Sequence, residues 1–194
     1  MIENIIRDII CAKNNRAYIS ALSLALTLPN ILSNIEHNAK TYKPEYIQWF
    51  DRWVYKHYDR PKSENESINR SIDATKFDGE SCYLLRCALL HAGNTDLIDN
   101  HKNRRIDFFE LCVSEISTHC GDASVCSVSN NDVSNVYVSV NVVGLIDSLI
   151  MGANEFLEAN KEKVLMHQNS NISMRTFGGI EIKTFQADSK NGAE

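Results

Sequence analysis

Ile2, Ile5, Ile6, Ile9 and Ile10 fall at i, i+3, i+4, i+7 and i+8, the spacing of one apolar helical face. Tyr18, Ala21, Leu22, Ala25 and Leu26 repeat that spacing after the polar break at Asn14-Asn15. Pro29 predicts a kink or a restart, with Ile31, Leu32 and Ile35 carrying the apolar stripe onward. Pro44 suits the first turn of a further helix, whose buried side is expected to be Tyr46, Ile47, Phe50, Trp53 and Val54. Trp49 and Trp53 lie four apart on that helix, so packing in a core or interface explains them better than base stacking does.

The pattern then breaks. Residues 60–77 are polar and read as a mobile loop, either a lid or an inert surface excursion. Asp78 is a good N-cap for the next helix, Glu80 falls in its first turn and Gly93 lies just past its end. Between them the run from Cys82 to Ala92 is apolar on nearly every face, which predicts packing on several sides. Ile106–Val113 and Asn135–Val140 are rich in β-branched and aromatic residues and predict two strands, with a turn-like, Ser/Asn-rich stretch at Gly121–Asn131 between them. Together they suggest a β-hairpin inserted at about 104–140. A final long helix from about Val142 to Val164 carries Leu145, Leu149, Ala153, Phe156 and Leu157 on one face. A small hairpin around Gly178-Gly179 and a fraying tail are expected in the C-terminal extension, 169–194.

The resulting fold class is mainly α: one helical domain over 1–168 with a small inserted β-hairpin. The 194 residues fit one domain, and 43% hydrophobic with 23% charged residues suits a globular core. The net charge of −5 argues against a protein that coats nucleic acid, which needs a basic surplus, but not against a nuclease that holds its substrate briefly. Met1–Ile6 lacks the basic start of a signal peptide. The longest apolar run, Ala17–Leu28, falls short of the roughly 20 residues that span a bilayer, so the expectation is a cytoplasmic protein without membrane contact. The six cysteines, Cys11, Cys82, Cys87, Cys112, Cys120 and Cys126, lack the spacing of a disulfide framework, and several sit among apolar neighbours as buried reduced thiols do. His119, Cys120 and Cys126 fit no zinc pattern, so no metal is expected.

Arg86 and His91 are left unexplained by packing. Arginine is rarely buried unless paired, and the carbonyl dipoles of a last helical turn favour a protonated histidine. A titratable imidazole near a fixed guanidinium is suited to acid/base chemistry on a phosphate ester. On an α-helix, positions five apart diverge by ~140°. A two-fold axis beside the helix end would therefore gather both residues from two copies into one cleft.

Arg86-Cys87-Ala88-Leu89-Leu90-His91 resembles the R-x4-6-H motif of HEPN-domain ribonucleases, and the amphipathic helices before and after it resemble that family's helical bundle. The resemblance implies metal- and cofactor-free RNA cleavage at a homodimer interface, in a toxin, stress or phage-defence setting with an antitoxin as a possible partner. It implies that Arg86 polarises the scissile phosphate. His91 would act as base on the ribose 2′-OH or as acid on the leaving 5′-oxygen. Cys87 departs from the pattern, where a polar residue, commonly Asn, follows the arginine. Cys87, Glu80 and Asn94 are the remaining substrate-side candidates near the motif. Glu80 and Asp78 are equally explained by helix capping. Lys102, Arg104 and Arg105, in the basic run His101–Arg105, either grip phosphates or form a solvated loop edge. The other reading of the whole motif is a non-catalytic HEPN-like dimerisation or nucleotide/RNA-binding module.

Overall fold

The computed structural model describes residues 1–58, 77–92, 106, 108–113, 128–129, 132–133 and 137–167. Helices dominate them: α1 (Ile2–Asn14), α2 (Tyr18–Ala25), α3 (Leu28–His37), α4 (Lys43–Trp53), α5 (Tyr55–Tyr58), α6 (Gly79–Cys87), a π-helical turn (Ala88–Ala92), α7 (Val142–Ala159) and α8 (Lys161–His167). Most of the apolar stripe of each of the first four helices faces inward, although Ile10 of α1 is exposed. Ile2, Ile6 and Ile9 of α1, Ala21, Leu22 and Ala25 of α2, Leu32 and Ile35 of α3, and Tyr46, Trp49 and Phe50 of α4 are buried in one core. Pro29 restarts the chain as expected, sitting in the first turn of α3 where its missing N–H costs no hydrogen bond. Trp49 and Trp53 pack edge-on against Phe156 of α7, at 5.9 and 5.5 Å between ring centroids.

Two expectations are corrected. The strands β1 (Phe108–Cys112) and β4 (Tyr137–Asn141) pair in parallel, Phe108 with Tyr137 through Cys112 with Asn141, and not as a hairpin. A tight antiparallel turn needs only a few residues, whereas the long connection between these strands permits the crossover that parallel pairing requires. The antiparallel piece is a separate two-residue ladder, β2 (Val128–Ser129) with β3 (Asp132–Val133). The parallel pair behaves as such pairs do: Val138, Ser139, Val140 and Asn141 are all buried, without the alternation of a half-solvated strand. β4 then runs straight into α7, whose N-cap Asn141 accepts from Val143 N and Gly144 N at 3.2 and 3.4 Å.

The second correction concerns length. Tyr18–His37 is a 20-residue helical stretch long and apolar enough to cross a bilayer on composition alone, longer than the run read from the sequence, and half of its most apolar part is buried in the protein. Phe77, placed at the edge of the polar loop by its neighbours, is instead a core residue, ringed by Phe50, Tyr58 and Phe109 at 5.0–6.2 Å. The rest of that loop, 60–76, lies outside the described residues, as do the C-terminal extension and its expected hairpin.

α7 lies across the core and is fastened at several points. Lys13 of α1 pairs with Asp147, and Glu155 takes both Lys56 and, at 2.9 Å, His57 Nε2 from α5. Gly152 makes the closest approach, since a Cβ there would stand 2.7 Å from the Trp53 carbonyl oxygen and 2.8 Å from Val54 Cγ2. Gly→Ala inside an exposed helix gains about 1 kcal/mol, but the overlap with a backbone oxygen costs more. Gly152→Ala should therefore lower the unfolding free energy by about 1–3 kcal/mol in urea titrations, while Met151→Ala, on the exposed face next to it, should change it by less than about 0.5 kcal/mol.

Candidate active site

The start of α6 is locked onto α4. Asp78 caps it as expected, its carboxylate accepting from Ser81 N at 3.0 Å and Ser81 Oγ at 3.1 Å. Gly79 N donates to Asp51 Oδ1 at 2.8 Å, and its missing side chain lets the helix touch α4 backbone to backbone: a Cβ would lie 2.5 Å from the Ile47 carbonyl oxygen. From this anchor Cys82, Leu84, Leu85 and Ala88 turn into the core, while Tyr83, Arg86, Cys87 and Leu89 are half-buried and Leu90 is exposed. The expectation of packing on nearly every side is thus corrected: one flank is open, and it is the flank that carries the arginine.

Arg86 lies with its guanidinium carbon 5.9 Å from the centroid of the Tyr46 ring. Its Nε is buried with no hydrogen-bond partner among the described residues. Tyr46 is itself held from two sides, its hydroxyl donating to the Leu26 carbonyl at 3.1 Å and lying 3.4 Å from Cys82 Sγ. Its ring meets Tyr83 edge-on at 5.4 Å, and Lys43 Nζ sits 5.6 Å from the Tyr83 centroid. Two cations therefore lie over two tyrosines that touch each other.

The electrostatics keep the acids of this cluster neutral. Burial pushes the Tyr46 hydroxyl well above its usual range and the Cys82 thiol up to about 12. Tyr83 is raised by burial and then by Cys87, to which its hydroxyl is hydrogen-bonded. The positive charge of Arg86 opposes each of these shifts without reversing any of them. The guanidinium thus has an aromatic face and neutral groups around it, and among the described residues no carboxylate is paired with it. Glu80 does not serve it, because that side chain pairs with Lys43 Nζ at 3.1 Å.

Beyond Cys87 the helix widens into the π turn Ala88–Ala92, which contains the backbone of His91. A π turn follows an i→i+5 pattern and often marks a functional site. Because it is less tightly wound than an α-helix, it carries position 91 back toward the angular position of residue 86. The ~140° divergence expected from an ideal α-helix is thereby reduced. The His91 side chain, and Asn94, Lys102, Arg104 and Arg105 altogether, lie outside the described residues. So do His119, Cys120 and Cys126.

Lys43, Tyr46 and Tyr83 were not among the expected site residues. Tyr46 reads in the sequence only as part of a buried stripe, and the contact that makes it the bed of Arg86 is between helices distant along the chain. A separate cavity of about 770 Å³, walled by Ile2, Ile31, Ile35, Leu157, Val164 and Leu165, has no lining residue from α6 or the π turn. No family model, curated protein or solved structure matches this chain.

The packing makes a direct prediction for thiol chemistry, because only the thiolate reacts readily. At pH 8, Cys11, which is exposed, should be alkylated in the native protein. Cys82, buried and held protonated, should label only on unfolding. Peptide mapping by mass spectrometry reads both, and fast native labelling of Cys82 would contradict this packing.

Proposed function

We propose that the chain is a HEPN-like, metal-independent endoribonuclease, with Arg86 as the phosphate-binding cation and His91 as the general acid or base. The observation that carries the reading is the state of Arg86: it lies over Tyr46, with no carboxylate partner and its buried Nε unpaired among the described residues. A guanidinium held this way is pre-aimed at an anion, and preorganised charge is the largest single contribution in most acyl and phosphoryl chemistry. The π turn that carries His91 supports it, since it brings position 91 toward the arginine's flank.

In the proposed reaction the imidazole of His91 removes the proton of the ribose 2′-OH. The 2′-oxygen attacks the adjacent phosphorus, and the bond to the 5′-oxygen breaks as that oxygen takes a proton from the imidazolium just formed or from water. The products are a 2′,3′-cyclic phosphate and a 5′-hydroxyl, and Arg86 neutralises the charge that builds on the phosphoryl oxygens. DNA lacks the attacking hydroxyl and should be inert. The homodimer, the cytoplasmic location and the toxin or phage-defence setting belong to this reading through the resemblance alone.

A second reading, a non-catalytic dimerisation or nucleotide/RNA-binding module, is favoured by one observation. Cys87 stands where the family's motif is commonly polar, and here its thiol is engaged by Tyr83.

The two readings separate in a cleavage assay on single-stranded RNA in EDTA. Loss of general acid–base help costs ~10²–10⁴ in rate, and loss of a charge-stabilising donor ~10²–10³. His91→Ala and Arg86→Ala should each fall by those factors, and a 2′-deoxy sugar at the scissile position should block cutting. RNA left intact by the pure protein, or cut equally by both variants, leaves the binding module in place of the enzyme.

A further inference from the structure

The loop between α3 and α4 presents an aromatic ring to solvent and is pinned while doing so. Asn38 closes α3 in the left-handed region at φ 51°, a conformation asparagine tolerates better than most residues. The Asn34 carboxamide oxygen then accepts from Thr41 N at 2.6 Å and from Thr41 Oγ1 at 2.7 Å, and Ser33 Oγ lies 2.8 Å from the same hydroxyl. One residue later Tyr42 N donates to Glu45 Oε2 at 2.8 Å. The backbone on both sides of Tyr42 is thereby fixed, yet its side chain is 66% exposed. Lys40 Nζ lies 5.8 Å from the Tyr42 ring centroid, and Lys43 follows at the next position over Tyr83.

Next to Tyr42 in the chain, Lys43 lies over Tyr83, whose ring meets the buried Tyr46 on which Arg86 rests. Lys40, Lys43 and Arg86 thus stand near two rings that reach the surface, the exposed Tyr42 and the half-buried Tyr83. Among the described residues, Glu80 pairs with Lys43, and Glu45 accepts from the Tyr42 amide, which lowers its pKa. A row of cations interleaved with aromatic faces is the chemistry of single-stranded nucleic-acid binding, where the charges follow the phosphates and the rings stack on bases. The overall charge of −5 makes such a local surplus the place where a polyanion would settle.

We infer that Lys40, Tyr42 and Lys43 form a docking strip for single-stranded RNA that leads the strand to Arg86, with a base stacked on Tyr42. The inference rests on the ribonuclease reading for its direction toward Arg86, but the binding can be measured without cleavage. The fixed loop keeps the ordering cost of the ring low, as preorganised surfaces do.

The test uses the full chain and a fluorescein-labelled, uncleavable 2′-O-methyl decauridylate, followed by anisotropy across a salt series. Tyr42→Ala should weaken binding roughly tenfold, the effect of one lost stacked base, and Tyr42→Phe, which keeps the ring, should recover it. Lys40→Gln should reduce the slope of log affinity against log salt by about 0.7, one phosphate contact on a single strand. Circular dichroism should be unchanged, as the replaced side chains are exposed. Absence of binding by the parent protein overturns the strip, as does binding unaffected by Tyr42→Ala and Lys40→Gln. If that second result comes with RNA cleavage lost in Arg86→Ala, the strip falls while the ribonuclease stands. Tyr42-dependent binding without any RNA cleavage keeps the strip and removes the ribonuclease.

Discussion

Gly79 meets the backbone of Ile47 with no side chain between them, and Asp51 of α4 accepts its amide hydrogen. Most of what distinguishes this chain depends on that contact. It sets the distance between α4 and α6 and, with the Asp78 cap, the rotation of α6. Those two quantities decide that Cys82 falls beside the Tyr46 hydroxyl and that Arg86 falls over the Tyr46 ring. A side chain at position 79 would push α6 outward, and the aromatic bed and the arginine would separate. The residues before Gly79 gain from the same contact, since Phe77 enters the core between Phe50, Tyr58 and Phe109.

The energetics of Arg86 argue against a purely structural role. A cation over an aromatic ring contributes about 0.5–1 kcal/mol at an exposed site and about 2 when desolvated. A buried donor left without a partner costs about 1–3 kcal/mol. The two effects nearly cancel, so the side chain adds little to stability while losing most of its freedom. An apolar residue of similar length would fill the same space without the unpaired Nε. Positions where local stability is given up are where function concentrates, and the π turn immediately after Cys87 is a second departure from regular helix in the same segment.

The helices were legible in the sequence because their apolar periodicity is strong and their caps are local. The stripes of α1 to α4 and α7, the restart at Pro29 and the Asp78 cap all follow from residues within a turn of each other. Strand pairing was less legible. β-branched and aromatic content marked β1 and β4, but direction depends on the path of a long connection, which composition does not encode. Phe77 was hidden by polar neighbours, although its role is set by rings distant in sequence. Of the site, Arg86 stood out as an arginine in an apolar helix, and the structure lays its guanidinium over the Tyr46 ring. Its bed could not be seen, because Tyr46 and Tyr83 meet only once α4 and α6 are packed. The π turn was equally invisible, because Ala88–Ala92 is good α-helical sequence.

The central claim is that Arg86 is held for an anion and not for the fold. The most direct measurement is the unfolding free energy of Arg86→Met, which keeps the length and packing of the side chain and removes the charge and the unpaired Nε. The account predicts a change within about 1 kcal/mol of the parent in either direction, since the lost ring contact and the relieved donor offset each other. A loss of about 3–5 kcal/mol, the size seen when one partner of a buried charge pair is removed, would make Arg86 a structural pillar and contradict the account.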